Sequence, residues 1–407
     1  MGSTEIGTAK VGPVHIARVG APRVLVWMLR VDGDMYGGAR SMLTFLEHQR
    51  GADVFVVVVT ARPNGPAVQW LRRIGVRHEV LFRPELTPQR GGGALGRLLR
   101  TWRLLRCNLD AARIIRRERP DIVHADLEGC LQVAGAARLT GRRLVQHVRG
   151  YPRTLRWVHQ LLLSVADRNV FVSTGLMQHF LHNVSTPLKR RVGRGAQRVF
   201  NGFPIREMRA FAAALPRDEA RRQLGVGEDE IVVGVVASFL PDKGQRELLE
   251  QVAPRVARGN ARVRFYFLGG AKDEQYLAEC VEAAKAAGLE DRVRFMGFQH
   301  DNWRWFRAMD ILAFPSIHEG FGRVVIEAQA FSVPVVSTRN EGSGDTLGDG
   351  GGGVKVRNAE EFADALLRLA ADPALREQMG ERGAAYAERF DVDAVTRDLE
   401  AVYASLC

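Results

Sequence analysis

The stretch Pro315–Val336, PSIHEGFGRVVIEAQAFSVPVV, decides how this chain is read. An apolar run, Ile311 to Phe314, leads into it, and Val333 to Val336 closes it. Between them Val324, Val325, Ala328 and Phe331 recur at helical spacing, so the order is strand, loop, helix, strand. Gly320-Phe321-Gly322 opens the helix, where free backbone N–H groups and the positive end of the helix dipole favour phosphate. Glu319 and Glu327 stand eight residues apart across this loop. Each carboxylate can accept two hydrogen bonds from neighbouring hydroxyls, the geometry of a sugar diol. A phosphate loop beside two diol acceptors predicts a nucleotide-sugar site.

Working outward, the same alternation of strand and helix fills the chain. Val24 to Leu29, Val54 to Thr60, Ile122 to Ala125, Leu144 to His147, Asn169 to Val172 and Arg198 to Phe200 read as buried strands. A second series follows at Ile231 to Ala237, Val263 to Leu268, Val293 to Met296, Ile311 to Phe314 and Val333 to Val336. Continuous apolar strands separated by helices predict parallel sheets covered on both faces, an α/β protein of two doubly wound domains. Asn201-Gly202-Phe203-Pro204 is the turn signal between the series. The expected division is residues 1–201, residues 202–388, and a closing helix in residues 389–407 that packs back on the first domain. Two such sheets facing each other leave a crevice at the carboxyl ends of their strands, where ligands bind.

Composition narrows the class. The 407 residues suffice for two cores. No apolar run approaches the roughly 20 residues that cross a bilayer, and the N-terminus lacks a secretory h-region. Four scattered cysteines, Cys107, Cys130, Cys280 and Cys407, contain no CxxC pair, which points to a reducing cytoplasm and away from a zinc site. Residues 1–200 carry 32 Lys and Arg against 13 Asp and Glu, a surplus of 19; the remainder carries a deficit of 7, for a net +12. A basic half meets an anionic partner: nucleic acid, acidic lipid or a phosphorylated glycan. Residues 95–119 form a basic helix in which Arg100, Arg103 and Arg106 accompany Leu98, Leu99, Trp102, Leu105, Leu109 and Ile115, behind Gly91-Gly92-Gly93. It reads either as a solvated surface helix or as an interfacial helix on anionic lipid. Lys189-Arg190-Arg191, Arg194 and Arg198 form a second cluster.

At this point the chain resembles the GT-B-fold glycosyltransferases of family 4, the group 1 glycosyl transferases, whose members carry a Glu, seven residues, Glu motif. Glu319 and Glu327 match it. Gly37-Gly38 resembles the N-terminal glycine pair, Val199-Phe200-Asn201-Gly202 the interdomain turn, and Phe239-Leu240-Pro241-Asp242-Lys243-Gly244 the lysine loop. Val293 to Gly297 and Asp310 to Ser316 fit the strands before the motif. Two positions depart: Ser238 stands where the family often has arginine, and Ser332 where it has glycine, the latter expected to matter little.

The resemblance implies a retaining transfer of a hexosyl group from a UDP- or GDP-sugar to a hydroxyl of a membrane-associated glycan or glycolipid, such as a lipopolysaccharide core. It implies that Glu319 contacts the transferred sugar, Glu327 both ribose hydroxyls, and the amides of Gly320, Phe321, Gly322 and Arg323 the sugar or diphosphate. Lys243, Gly38, Ser238 and Gly297 complete the expected donor side. Lys243 neutralises the leaving diphosphate; with 6 lysines against 52 arginines, its presence there is no product of composition. His147, in Gln146-His147-Val148-Arg149-Gly150, is expected near sugar and acceptor as a catalytic candidate with Glu319 and Lys243. His124 and Arg149 are placed on the acceptor side, with Arg100, Arg103 and Arg106 toward the membrane. Asp32-Gly33-Asp34 has the residue types of a metal site, but the resemblance assigns the phosphates to amides and Lys243, so no metal and no cofactor is expected. No nucleic-acid motif accompanies the charge. The expected location is cytoplasmic, peripheral on the inner membrane face. Competing readings are a polyanion-binding protein on an inactive transferase fold, or a sugar-nucleotide epimerase or phosphorylase of the same architecture.

Overall fold

The computed structural model describes residues 20–29, 37–60, 62–82, 94–150, 157–340, 342–349 and 352–407, with backbone alone for 94–100. Asp32-Gly33-Asp34 and Gly91-Gly92-Gly93 lie outside these residues. Seven strands form the N-terminal sheet: β1 Arg23–Leu29, β2 Asp53–Thr60, β3 His78–Phe82, β4 Ile122–Asp126, β5 Arg143–Val148, β6 Arg168–Phe171 and β7 Ala196–Arg198. Six form the C-terminal sheet: β8 Ile231–Val236, β9 Val263–Leu268, β10 Val293–Gly297, β11 Ile311–Phe314, β12 Val335–Thr338 and β13 Gly353–Val356. The spatial orders are β3-β2-β1-β4-β5-β6-β7 and β10-β9-β8-β11-β12-β13. Every pairing is parallel.

The β-branched run Val56–Val59 explains the depth of β2: it is buried on both faces. In each sheet the strand order reverses once, between β1 and β4 and between β8 and β11. Loops leaving neighbouring strands there diverge to opposite faces and open a crevice. Gly37 follows β1, Lys243 follows β8 and Glu319 follows β11, so the topology brings them to the two crevices.

Two edge strands, β3 and β13, are additional to the sequence reading. Both are half exposed, so neither shows the continuous apolar run of a buried strand. Two strands are displaced. β7 ends at Arg198, before Phe200, and β12 begins at Val335, because Ser332 adopts a left-handed φ of 58° that turns the chain first.

The chain crosses between domains twice, side by side. Phe203 N–H donates to the Phe390 carbonyl at 2.9 Å and Val392 N–H to the Phe203 carbonyl at 2.8 Å. A Cβ on Gly202 would lie 3.0 Å from the Val392 Cα, so only glycine passes without displacing the second crossing. The last helix, Val392–Ala404, then lays Val395, Leu399, Val402 and Tyr403 into the core on one face of the N-terminal sheet.

Candidate active site

Lys243 sits in the turn Pro241–Lys243 after β8, and Gly244 closes that turn with φ 67°. A Cβ on Gly244 would stand 2.3 Å from the Pro315 carbonyl oxygen, so glycine lets the lysine loop lie against the strand end that leads to Glu319. The result is an ion pair: Lys243 Nζ donates to Glu319 Oε2 at 2.9 Å. Burial acts to lower the ammonium pKa, but Glu319 beside it and Asp242 outweigh that and hold it above the ordinary lysine value. The helix Arg323–Ala330 starts at Gly322, φ 85°, with no side chain capping its first amides. Those amides and Lys243 face the same space, a cavity of about 270 Å³ at the domain boundary. Gly37 and Gly38, at the start of helix Gly37–His48, line it from the other domain.

Of the residues singled out from sequence, Gly38, Arg149, Ser238, Lys243, Glu319, Phe321, Gly322 and Arg323 line this cavity. Gly320 is not among the residues lining this cavity, and its carbonyl accepts from Ser173 Oγ of the other domain at 2.6 Å. A Cβ on Gly320 would stand 2.8 Å from the Arg149 carbonyl oxygen. Gly297 stands apart, exposed at the end of β10 with φ 65° and nothing within 4 Å of an added Cβ.

Glu327, the residue expected to meet the ribose hydroxyls, is 4% exposed and lines a second cavity of about 390 Å³ with Arg40, Trp70 and Trp303. Its Oε1 lies 3.4 Å from Arg323 Nη2 and 3.9 Å from Arg40 Nη1. The reason is helical spacing: Arg323 and Glu327 share a face one turn apart. Arg323 lines both cavities, stacks 4.3 Å over Phe203 and donates to Ser41 Oγ across the boundary at 2.6 Å. Burial lowers its pKa to about 10, partly offset by Glu327, and it remains a cation at neutral pH.

His147 and His124 are buried side by side behind Arg149 and do not line the cavity. Burial, with Arg149 adding to it, lowers both imidazoles, His124 to about 3, so neither is charged at neutral pH. Arg103 and Arg106 lie on helix Ala94–Glu118, on the outer face of the N-terminal domain; the Arg100 side chain is outside the described atoms. On that helix Trp102, Leu105 and Leu109 are exposed, whereas Ile115 belongs to the core. Among the described residues no group of three or more His, Cys, Asp or Glu is placed to hold a metal ion.

Asn201 was legible only as a turn residue. Folded, its Oδ1 accepts from Arg149 Nη1 at 2.7 Å and it lines the cavity. The Phe321 side chain packs between the hinge aromatics Phe200, Phe203 and Phe390. Nothing in a linear reading ties those rings together.

Residues 216–386 match the family model for glycosyl transferases group 1, and residues 35–192 match that for glycosyltransferase family 4. Both matches are to glycosyl transferases, one in each domain. Among similar curated proteins, the D-inositol 3-phosphate glycosyltransferase of Actinosynnema mirum is 34% identical over 196 residues, 46% of this chain and 47% of that protein. The lipopolysaccharide core biosynthesis glycosyltransferase LpsE of Rhizobium meliloti is 35% identical over 165 residues, 40% of this chain and 46% of that protein. The matches thus span about half the length of these curated relatives. A solved structure, Anabaena HepE in complex with UDP and glucose, superposes with a TM-score of 0.70 at 22% identity, covering 94% of this chain and 100% of that one. Its likeness shows a shared GT-B architecture.

Proposed function

We propose that this chain transfers a hexosyl group from a nucleoside diphosphate sugar to a hydroxyl of a membrane-associated glycan or glycolipid, with retention at the anomeric carbon. The observation that carries it is the Lys243–Glu319 pair facing an uncapped helix start inside a cavity shared by both domains. The anomeric carbon–oxygen bond to the diphosphate breaks and a bond to the acceptor oxygen forms, while the acceptor proton leaves. Negative charge then grows on the diphosphate, where Lys243 and the first amides of helix Arg323–Ala330 stabilise it most. Glu319 is held by Lys243, which suits it to orienting sugar hydroxyls; no nucleophilic role is assigned to it. The nucleoside lies toward Glu327 on the far side of Arg323. Closure of the cleft excludes water, which limits donor hydrolysis. No metal or cofactor enters this reading. HepE, crystallised with UDP and glucose, supports a nucleotide-sugar donor, and the lipopolysaccharide core relative supports a glycolipid acceptor.

Calorimetric titration with UDP and GDP, with DNA as comparison, tests the reading. Micromolar nucleotide binding that weakens by up to about tenfold in Lys243→Met supports it. Binding of DNA alone favours the polyanion-binding alternative, and epimerised donor without transfer favours the epimerase. Anomeric analysis of the product decides retention.

The acceptor reading includes an anionic membrane surface. No described helix is long and apolar enough to cross a membrane. Trp102, Leu105 and Leu109 form an exposed stripe, with Arg106 5.5 Å over the Trp102 ring, and Trp157 and Leu161 are exposed on helix Trp157–Val165. Cations beside exposed aromatics fit an acidic lipid headgroup layer, each worth about 1 kcal/mol near the surface. Flotation with anionic and neutral liposomes should show anionic preference that disappears in Arg103→Glu/Arg106→Glu; equal recovery on both lipids removes this part.

A further inference from the structure

The second basic cluster of the sequence, Lys189-Arg190-Arg191, Arg194 and Arg198, takes no part in the reaction as described. The fold divides it. Arg198 turns to the domain boundary, 3.2 Å from Thr174 Oγ1 and 3.9 Å from Asp345. The others stand on helix Thr186–Gly195, which contains four basic residues and no acidic one. Pro187, Arg190, Arg191 and Arg194 lie three or four residues apart, so they share one helical face. That face lines a cavity of about 550 Å³, with Asp167 and Arg168 at the start of β6 completing the lining. A Cβ on Gly195 would stand 3.1 Å from the Asp167 carbonyl oxygen, so glycine seats the end of the helix against that strand.

Four guanidinium groups and one carboxylate meet in this cavity, and the carboxylate is already engaged. Asp167 accepts from Arg138 at 3.1 Å, Arg143 at 3.2 Å and the Leu144 N–H at 2.8 Å. Among the described residues, Arg168, Arg190, Arg191 and Arg194 have no carboxylate within ion-pair distance. Arg168 and Arg191 each donate once to a backbone carbonyl, of Asp167 and Ser164. The dipole at the helix C-terminus favours a cation at Arg194, but like charges one turn apart, such as Arg190 and Arg194, repel. The placement therefore costs the helix stability unless an anion joins it. The three helix arginines are exposed, so a ligand reaches them directly. A planar guanidinium fork matches phosphate oxygens two at a time. Several such forks on one cavity suit a doubly charged phosphate better than a single carboxylate.

Helix Trp157–Val165 lies alongside. Gln160 Oε1 accepts from the Ser185 N–H at 3.0 Å, and the Ser164 carbonyl accepts from Arg191. This neighbour exposes Trp157 and Leu161. An apolar ledge beside a cationic pocket fits a phosphate headgroup at the surface of a bilayer.

We propose that the cavity between helix Thr186–Gly195 and the start of β6 is a binding site for a phosphate monoester or diphosphate group, held by Arg168, Arg190, Arg191 and Arg194 and carried by a membrane lipid. Ser173, which touches the other domain, is five residues beyond Arg168, about 16 Å along extended chain. The site is thus separate from the donor cavity and independent of the glycosyl-transfer reading. It is also distinct from the arginines of helix Ala94–Glu118.

Inorganic pyrophosphate and lipid vesicles are the probes, in 0.15 M salt. Pyrophosphate should protect residues 186–195 from hydrogen exchange saturably, with affinity at least tenfold weaker in Arg190→Gln/Arg194→Gln. Pyrophosphate can also enter the donor cavity, which is why the readout is local. Arg190→Lys/Arg194→Lys keeps the charge but loses the fork, and should also weaken protection. The Gln variant should unfold in urea no earlier than the wild type and bind UDP unchanged. Phosphatidic acid vesicles should bind the wild type more tightly than phosphatidylserine vesicles of matched surface charge. That preference should vanish in the Gln variant and persist in Arg103→Glu/Arg106→Glu. Saturable protection without a preference between vesicles supports the phosphate site and assigns it to a soluble phosphate ester. Protection that does not saturate, that survives in the Gln variant, or that is equal in the Lys variant and the wild type overturns the proposal.

Discussion

Lys243 carries the charge that the proposed reaction needs most. It is held 2.9 Å from Glu319, so the ammonium is already in place before the diphosphate departs. One preorganised donor at a developing negative charge is worth about 3 kcal/mol in the transition state. Lys243→Met should therefore lower kcat about 100-fold or more while leaving donor KM within about tenfold. A rise in KM with kcat unchanged would mean that the lysine binds ground state and transition state alike. Ser332 presents a different residue-scale question. The sequence reading expects little from serine at this position, yet its φ of 58° is costly for a residue with a Cβ. Ser332→Gly should raise stability by about 0.5 kcal/mol in urea unfolding, relief of about 1 kcal/mol being partly offset by the freer unfolded chain. The two buried histidines set the acid limit. His124 titrates near 3 in the fold, against an ordinary histidine value of 6.5. A depressed folded value means stability that is complete above 6.5 and is lost progressively as pH falls toward 3, because the unfolded chain takes the proton first. Between pH 7.5 and 5.0 the loss from this ring is about 2 kcal/mol. Urea unfolding at those two pH values should show His124→Gln losing correspondingly less than the wild type.

At the scale of elements, the two helices that bracket the N-terminal sheet show how far periodicity goes. Helix Ala94–Glu118 was readable almost to its ends, because 25 residues of repeating apolar and basic positions leave no other interpretation. Which apolar residues face solvent was not readable: Ile115 and Leu109 look alike in sequence, yet one is core and the other exposed. Helix Val392–Ala404 was equally clear as a helix, but its worth lies in what it covers. Leu399 is 3% exposed within the N-terminal core, over 170 residues from most of its neighbours in the chain. Leu399→Ala should cost about 2–4 kcal/mol by chemical denaturation. A cost below about 1 kcal/mol would mean that the helix is only loosely docked.

At the scale of the whole molecule, the two domains are joined by an apolar cluster across their boundary and by polar clasps beside it. Thr174, the first residue of helix Thr174–Asn183, donates through its N–H at 2.5 Å and its hydroxyl at 2.9 Å to Asp345 of the other domain. Ser173–Gly320 and Arg323–Ser41 add two more contacts across the boundary. These clasps flank an apolar cluster that runs across the boundary, with Phe321 against Phe200 and Phe203, so removing one clasp should loosen the closure in part. Asp345→Ala should increase the radius of gyration in small-angle scattering and weaken UDP binding about three- to tenfold, with saturating UDP restoring the compact form. Identical scattering curves with and without the substitution would show that the other contacts suffice.

The amino-acid order alone determined the two parallel sheets, and it carried the turn signal at Asn201-Gly202 and the glycine loops near Lys243 and Glu319. Each of those signals is local: a buried β-branched run, a turn tetrapeptide, a glycine before a helical period. Tertiary structure decided the rest. It placed Glu327 in a second cavity against Arg323 and Arg40, left Gly297 exposed, and brought Asn201 and Tyr403 to Arg149 and His124. Those outcomes depend on which helix faces which across a domain boundary, and on desolvation that selects among hydrogen-bond partners hundreds of residues apart. Local periodicity carries no record of either.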